Sequence, residues 1–127
     1  MKKTLTIASF AILLSACASN TTTNTQATTA PNTATKPTVY SFTCEDSGMV
    51  TATYDNDAQT ANLTMSLPNV GLNDIQITMD HAVSASGARY VNDMNSETTY
   101  DWHTKGTDGT LTIASDNGQE YQVTCHI

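Results

Sequence analysis

From residue 38 to the end of the chain, apolar side chains recur at every second position. Tyr40, Phe42 and Cys44 are interleaved with Ser41 and Thr43, and Val50, Ala52 and Tyr54 with Thr51 and Thr53. Ala61, Leu63, Met65 and Leu67 are separated by Asn62, Thr64 and Ser66. Further runs follow at Ile75, Ile77 and Met79, at Tyr100 and Trp102, at Leu111 and Ile113, and at Tyr121, Val123 and Cys125. A period of two sends successive side chains to opposite faces of a strand, so each run has one face to bury and one to leave in water. The turn-forming stretches "EDSG", "YDNDAQ", "LPNVG", "KGTDG" and "SDNG" stand between the runs, where Gly, Asp and Asn supply the backbone conformations that reverse a chain. No segment carries the 3.6-residue period of a long amphipathic helix. Seven or eight short strands at close spacing predict an all-β antiparallel barrel or sandwich.

The N-terminal part obeys different rules. Lys2 and Lys3 precede the apolar run "TLTIASFAILLSA", the order of an export signal. The run is shorter than the roughly 20 residues a membrane-spanning helix needs. "LSAC" at residues 14–17 resembles the lipobox of bacterial lipoproteins. That resemblance implies cleavage after residue 16 and lipidation of Cys17, which anchors the chain to a membrane. Ala18, in place of aspartate, implies the outer membrane with the domain facing the periplasm. Residues 17–37 then comprise the anchor and a Thr/Asn-rich tether. Its composition, without periodicity, does not offset the entropy of ordering.

Residues 38–127 form the folded domain. Loss of Lys2 and Lys3 with the signal takes the formal charge from -7 to -9, since all twelve acids lie beyond Cys17. Such a balance excludes a nucleic-acid partner, whose phosphates require a basic surface, and favours a cationic one. With Cys17 lipidated, Cys44 and Cys125 remain as a pair in an exported domain, both on the inward phase of the first and last strands. A disulfide between them is expected. Closing a loop of that length is worth roughly 4–5 kcal/mol on the chain-entropy model.

Enzyme chemistry finds little support. His81, His103 and His126 have neither zinc-ligand spacing nor cysteine partners and read as exposed or strand-flanking residues. "DNDAQT" opens like a calcium loop, but Thr60 and Ser66 occupy the positions where that loop carries glycine and glutamate, so a turn is expected. Asp101, His103 and Ser86 offer the residue types of a hydrolase triad, yet side chains two apart on one strand do not meet as base and orienter. No catalytic residue, metal or cofactor is assigned.

Two stretches hold the domain's cations. "SASGARY" (residues 84–90) contains Arg89, and the turn-like "YDWHTKG" (residues 100–106) contains Lys105; no other Lys or Arg occurs in residues 38–127. Taken alone, "SASGARY" reads as a sheet corner in which Gly87 supplies a bend and small neighbours allow backbones to approach. Together, behind a lipobox and between paired cysteines, the two stretches resemble the motifs "SGxxY" and "YxxWxKG" of the membrane-bound and periplasmic inhibitors of c-type lysozyme. Ser86, Gly87 and Tyr90 match the first; Tyr100, Lys105 and Gly106 match the second, with Trp102 one place early, His103 at the tryptophan position, and about five extra residues within "VNDMNSETT".

The resemblance implies a small antiparallel β-barrel of about eight strands, closed by one disulfide, that inhibits c-type lysozyme without catalysis. It implies that Ser86 enters the enzyme's cleft and hydrogen-bonds a catalytic carboxyl, while Lys105 sets its ammonium near the carboxylates. Tyr90 supports the loop from the core side; Arg89 reaches the partner or pairs with a local acid such as Asp93. The surrounding acids steer a basic lysozyme. The alternative is a structural envelope lipoprotein whose barrel serves assembly or contacts peptidoglycan.

Overall fold

The structure, a computed structural model, describes residues 35–127. The signal segment, Cys17 and the tether up to residue 34 lie outside the described residues. Eight strands follow the alternating runs: β1 (Thr38–Cys44), β2 (Met49–Asp55), β3 (Thr60–Leu67), β4 (Leu72–Ala82), β5 (Ala88–Asn95), β6 (Thr98–Lys105), β7 (Asp108–Ser115) and β8 (Glu120–His126). Each pairs antiparallel with the next, and β8 returns to β1 to close a barrel. Of the two architectures the alternation allows, closure is adopted, and closure removes the sheet edges.

The closing ladder is short. Only Thr43 with His126 and Cys44 with Cys125 face each other across it, and the second pair is the disulfide, with Cα atoms 3.8 Å apart. The bridge therefore fastens the barrel where the backbone contributes least.

Inward-facing residues converge as the period requires. Val50, Ala52, Ala61, Leu63, Met65, Leu67, Met79 and Leu111 are fully enclosed, with Trp102 the largest. The Trp102 ring lies over Gly109, where any Cβ would stand 2.3 Å from it. Phe42 meets the ring edge-on at 5.0 Å, a favourable aromatic geometry. Two residues of the apolar phase depart from expectation. Tyr40 is 43% exposed and Ile75 37% exposed. Tyr40 precedes the part of β1 that pairs with β8. Ile75 lies where β4 has parted from β5, which it pairs with only over Asp80 to Ala82.

Strand direction puts five features at one end of the barrel: the start of β1, the β2–β3 turn, the loop of residues 83–87, the β6–β7 turn and the end of β8. At the first of these turns the Asp55 carboxylate accepts from the amides of Asp57 and Ala58, each at 3.0 Å. "DNDAQT" is thus a side-chain-capped turn.

Candidate functional site

The loop of residues 83–87 leaves β4 and must rejoin the sheet at Ala88, which pairs with Thr104. Gly87 makes the join. Its φ of +71° is a left-handed conformation, and a Cβ there would stand 2.1 Å from the Thr104 carbonyl oxygen and 3.2 Å from the Lys105 Cβ. Only glycine lets the loop backbone sit this close to the end of β6. Ser86, the residue before this glycine, is exposed.

Lys105 ends β6 rather than lying in a turn: "YDWHTKG" is strand through the lysine, and the chain reverses at Gly106 and Thr107. Gly106, at φ +63°, has open space where its side chain would be. Lys105 is exposed and enters no ion pair among the described residues. Asp108, directly across the turn from it, is engaged instead by His126, whose Nδ1 stands 2.8 Å from Oδ1.

An aromatic floor underlies both segments. Tyr90, 8% exposed, packs against Tyr54 at 5.3 Å and His81 at 5.5 Å, and Tyr54 in turn meets Tyr40 at 6.0 Å. The Trp102 indole N–H donates to the Tyr54 hydroxyl at 2.9 Å, tying the core to the floor. Burial raises the pKa of Tyr54, against the opposing Trp102 bond, and raises that of Tyr90; the ionised phenolate is disfavoured in an apolar setting.

Arg89 does not pair with Asp93. It lies on the outward face of β5, where its Nε and Nη2 donate to Asp101 Oδ2 at 2.9 and 2.5 Å. Asp93 is four positions along the same strand, about 13 Å away in extended backbone, whereas Asp101 is a diagonal neighbour on β6. The guanidinium is therefore committed within the chain, and Lys105 is the uncompensated cation of residues 38–127.

His103 occupies the same outer face, opposite Arg89 in the β5–β6 register. Its Nε2 lies 2.7 Å from the Ser86 carbonyl oxygen and 3.2 Å from Ser84 Oγ. No triad results. It is the Ser86 carbonyl, not its hydroxyl, that meets the histidine, and Asp101 is held by Arg89. A contact between His103 and the loop was not readable from spacing, because only the strand register sets residue 103 opposite the loop's exit.

The additional residues between the two segments fall at the far end of the barrel. Register is continuous from Ala88 with Thr104 to Asn92 with Tyr100, and the irregularity lies between Asn92 and Asn95. The turn beyond it is capped by the Asn95 side chain, which accepts from the Glu97 amide at 3.0 Å. The site end is unaffected by the added length. The one-place offset is a change of face: Trp102 points into the core and His103 outward.

A family model described as membrane-bound lysozyme-inhibitor of c-type lysozyme matches residues 42–120, more than half of the chain, a stretch that includes both site segments. No curated protein and no solved structure matches the chain.

Proposed function

Because the chain belongs to the family of membrane-bound lysozyme inhibitors of c-type lysozyme, we propose that it blocks that enzyme as a stoichiometric plug, presenting Ser86 and Lys105 together to the active-site cleft. One observation carries the reading: the seating of Gly87 on Thr104 brings the loop against the end of β6 beside the one uncompensated cation of an acidic domain. A retaining glycosidase flanks its scissile bond with two carboxyl groups, one protonated and one ionised. An ammonium answers the ionised carboxylate, and a hydroxyl accepts from or donates to its partner. Such charge-assisted bonds strengthen once water is excluded. The remaining acids attract a basic enzyme from a distance.

Arg89 serves the fold of the site through Asp101. Tyr90 and Gly106 act from behind the contact surface, Tyr90 as floor and Gly106 as the turn that ends β6 at Lys105. Cys17 carries the lipid that holds the domain at the periplasmic face of the outer membrane, a reading supported by "LSAC" and its preceding lysines. Labelled palmitate incorporated by the wild-type chain and not by Cys17→Ala tests the anchor.

The test of inhibition is titration of a c-type lysozyme clearing a bacterial cell suspension. Lysis should stop near one inhibitor per enzyme. Unchanged lysis at several-fold excess would refute the reading, and inactivation of lysozyme by far less than one equivalent would point to catalysis.

A further inference from the structure

We propose that His103 is the positioning residue of the loop that carries Ser86; the lysozyme consequence drawn from this rests on the function proposed above. The loop is poorly held by its own backbone. Among the described residues, no turn or loop backbone hydrogen bond involves residues 83–87. Its polar restraint comes from two side chains that converge on one atom, the carbonyl oxygen of Ser86. Ser84 Oγ donates to it at 2.7 Å from within the loop, and His103 Nε2 lies 2.7 Å away from the barrel wall. A carbonyl only accepts, so Nε2 carries the hydrogen. The Ser84 hydroxyl directs its own hydrogen to the same oxygen, which makes its 3.2 Å approach to Nε2 the third side of a triangle.

His103 is suited to act as a fixed post. Its backbone sits between two paired strands, opposite Arg89 on β5 and Thr110 on β7. The Arg89–Asp101 pair stands beside it on the same outer face. The ring is half-buried, so its position is set by the sheet and not by the loop. With the Ser86 carbonyl held to this post and Gly87 seated on Thr104, the peptide unit joining residues 86 and 87 is fixed at both of its ends. What remains free is its exposed hydroxyl, the group offered to the partner. Ordering the loop before contact spares the association the entropic cost of fixing that backbone on binding.

Three substitutions separate this role from mere filling of space. His103→Leu removes the donor, and His103→Asn places its amide nitrogen where Nδ1 stands, too short to reach the loop. His103→Gln places an amide nitrogen where Nε2 stands. Two readouts are taken on the full chain solubilised in non-ionic detergent: backbone order parameters of residues 84–88 from 15N relaxation, and lysozyme inhibition. For Leu and Asn, the loop should drop from the order of the rigid backbone to that of a flexible segment, and inhibition should weaken by roughly 5- to 15-fold, the worth of about one hydrogen bond and its ordering. Global melting should stay within a few degrees. Gln should restore both to near wild type. Loop order that is unchanged in His103→Leu, or equally lowered in Leu and Gln, would overturn the proposal whatever lysozyme does. A wild-type chain that fails to inhibit would refute the inhibitor reading alone, and the loop-order pattern would still decide the role of His103.

Discussion

Replacing Gly87 by alanine asks whether the close seating of the loop on β6 assembles the site. Two penalties act at residue 87. The backbone is left-handed at φ +71°, which costs an L-residue about 1–2 kcal/mol. The new methyl would also lie 2.1 Å from the Thr104 carbonyl oxygen, more than an ångström inside contact distance. That oxygen cannot retreat, because Thr104 is paired to Ala88 on one side and Gly109 on the other. The loop must lift. Gly106→Ala is the matched control: its φ of +63° imposes the same conformational penalty, but nothing lies within 4 Å of its Cβ position. Gly106→Ala should therefore cost about 1–2 kcal/mol, and Gly87→Ala about 1 kcal/mol more, relief of the clash by loop movement limiting the excess. In a domain of this size each kcal/mol lowers the melting temperature by about 4–8 °C, so melts resolve the difference. Inhibition should separate the pair further, since only the first lifts the loop from the end of β6. Equal melting temperatures and equal inhibition for the two variants would show that the loop does not sit on Thr104, and the reasoning that joins the two segments would fail.

Lys105→Ala should weaken inhibition by about 2–4 kcal/mol, and Ser86→Ala by about 1–2 kcal/mol, because the first leaves a desolvated carboxylate without its partner and the second removes one hydrogen bond. Both side chains are exposed, so thermal melts should not move; a folded Lys105→Ala protein that inhibits as well as wild type would refute the placement. Paired Cys44→Ser and Cys125→Ser substitutions open a cross-link spanning 81 positions, worth roughly 4–5 kcal/mol, and should speed amide exchange first at Thr43, since the seam between β1 and β8 has two residue pairs and the Cys44 amide donates to Gly48 instead; loss confined to another part of the barrel would contradict this. Burial raises the pKa of Tyr54 and Tyr90, and burial followed by the Asp46 and Glu45 carboxylates raises that of Tyr121, all from an ordinary 10.0. The unfolded chain thus releases these protons first, so stability is complete below pH 10 and is lost as pH rises through the higher folded values. Urea midpoints measured from pH 8 to pH 11.5 should fall above pH 10, and a rise there would reverse the assignment.

Alternation alone determined which residues of β3 are enclosed, Ala61, Leu63, Met65 and Leu67, because partition between water and core acts on each strand through its own two faces. Composition and phase likewise determined that Cys44 and Cys125 are partners, and the two segments bearing Arg89 and Lys105 stood out by the scarcity of cations elsewhere. The tertiary structure decided what lies beside what. Arg89 meets Asp101 and not Asp93, His103 reaches the Ser86 carbonyl, and Asp108 is engaged by His126 so that Lys105 stays unpaired. It also decided where the wall parts, exposing Ile75 although its phase is apolar. These outcomes depend on strand register and on closure of the whole barrel. Alternation is a local property of each strand, satisfied by more than one alignment against its neighbour, whereas cross-strand contacts exist only once eight strands have taken a single mutual register.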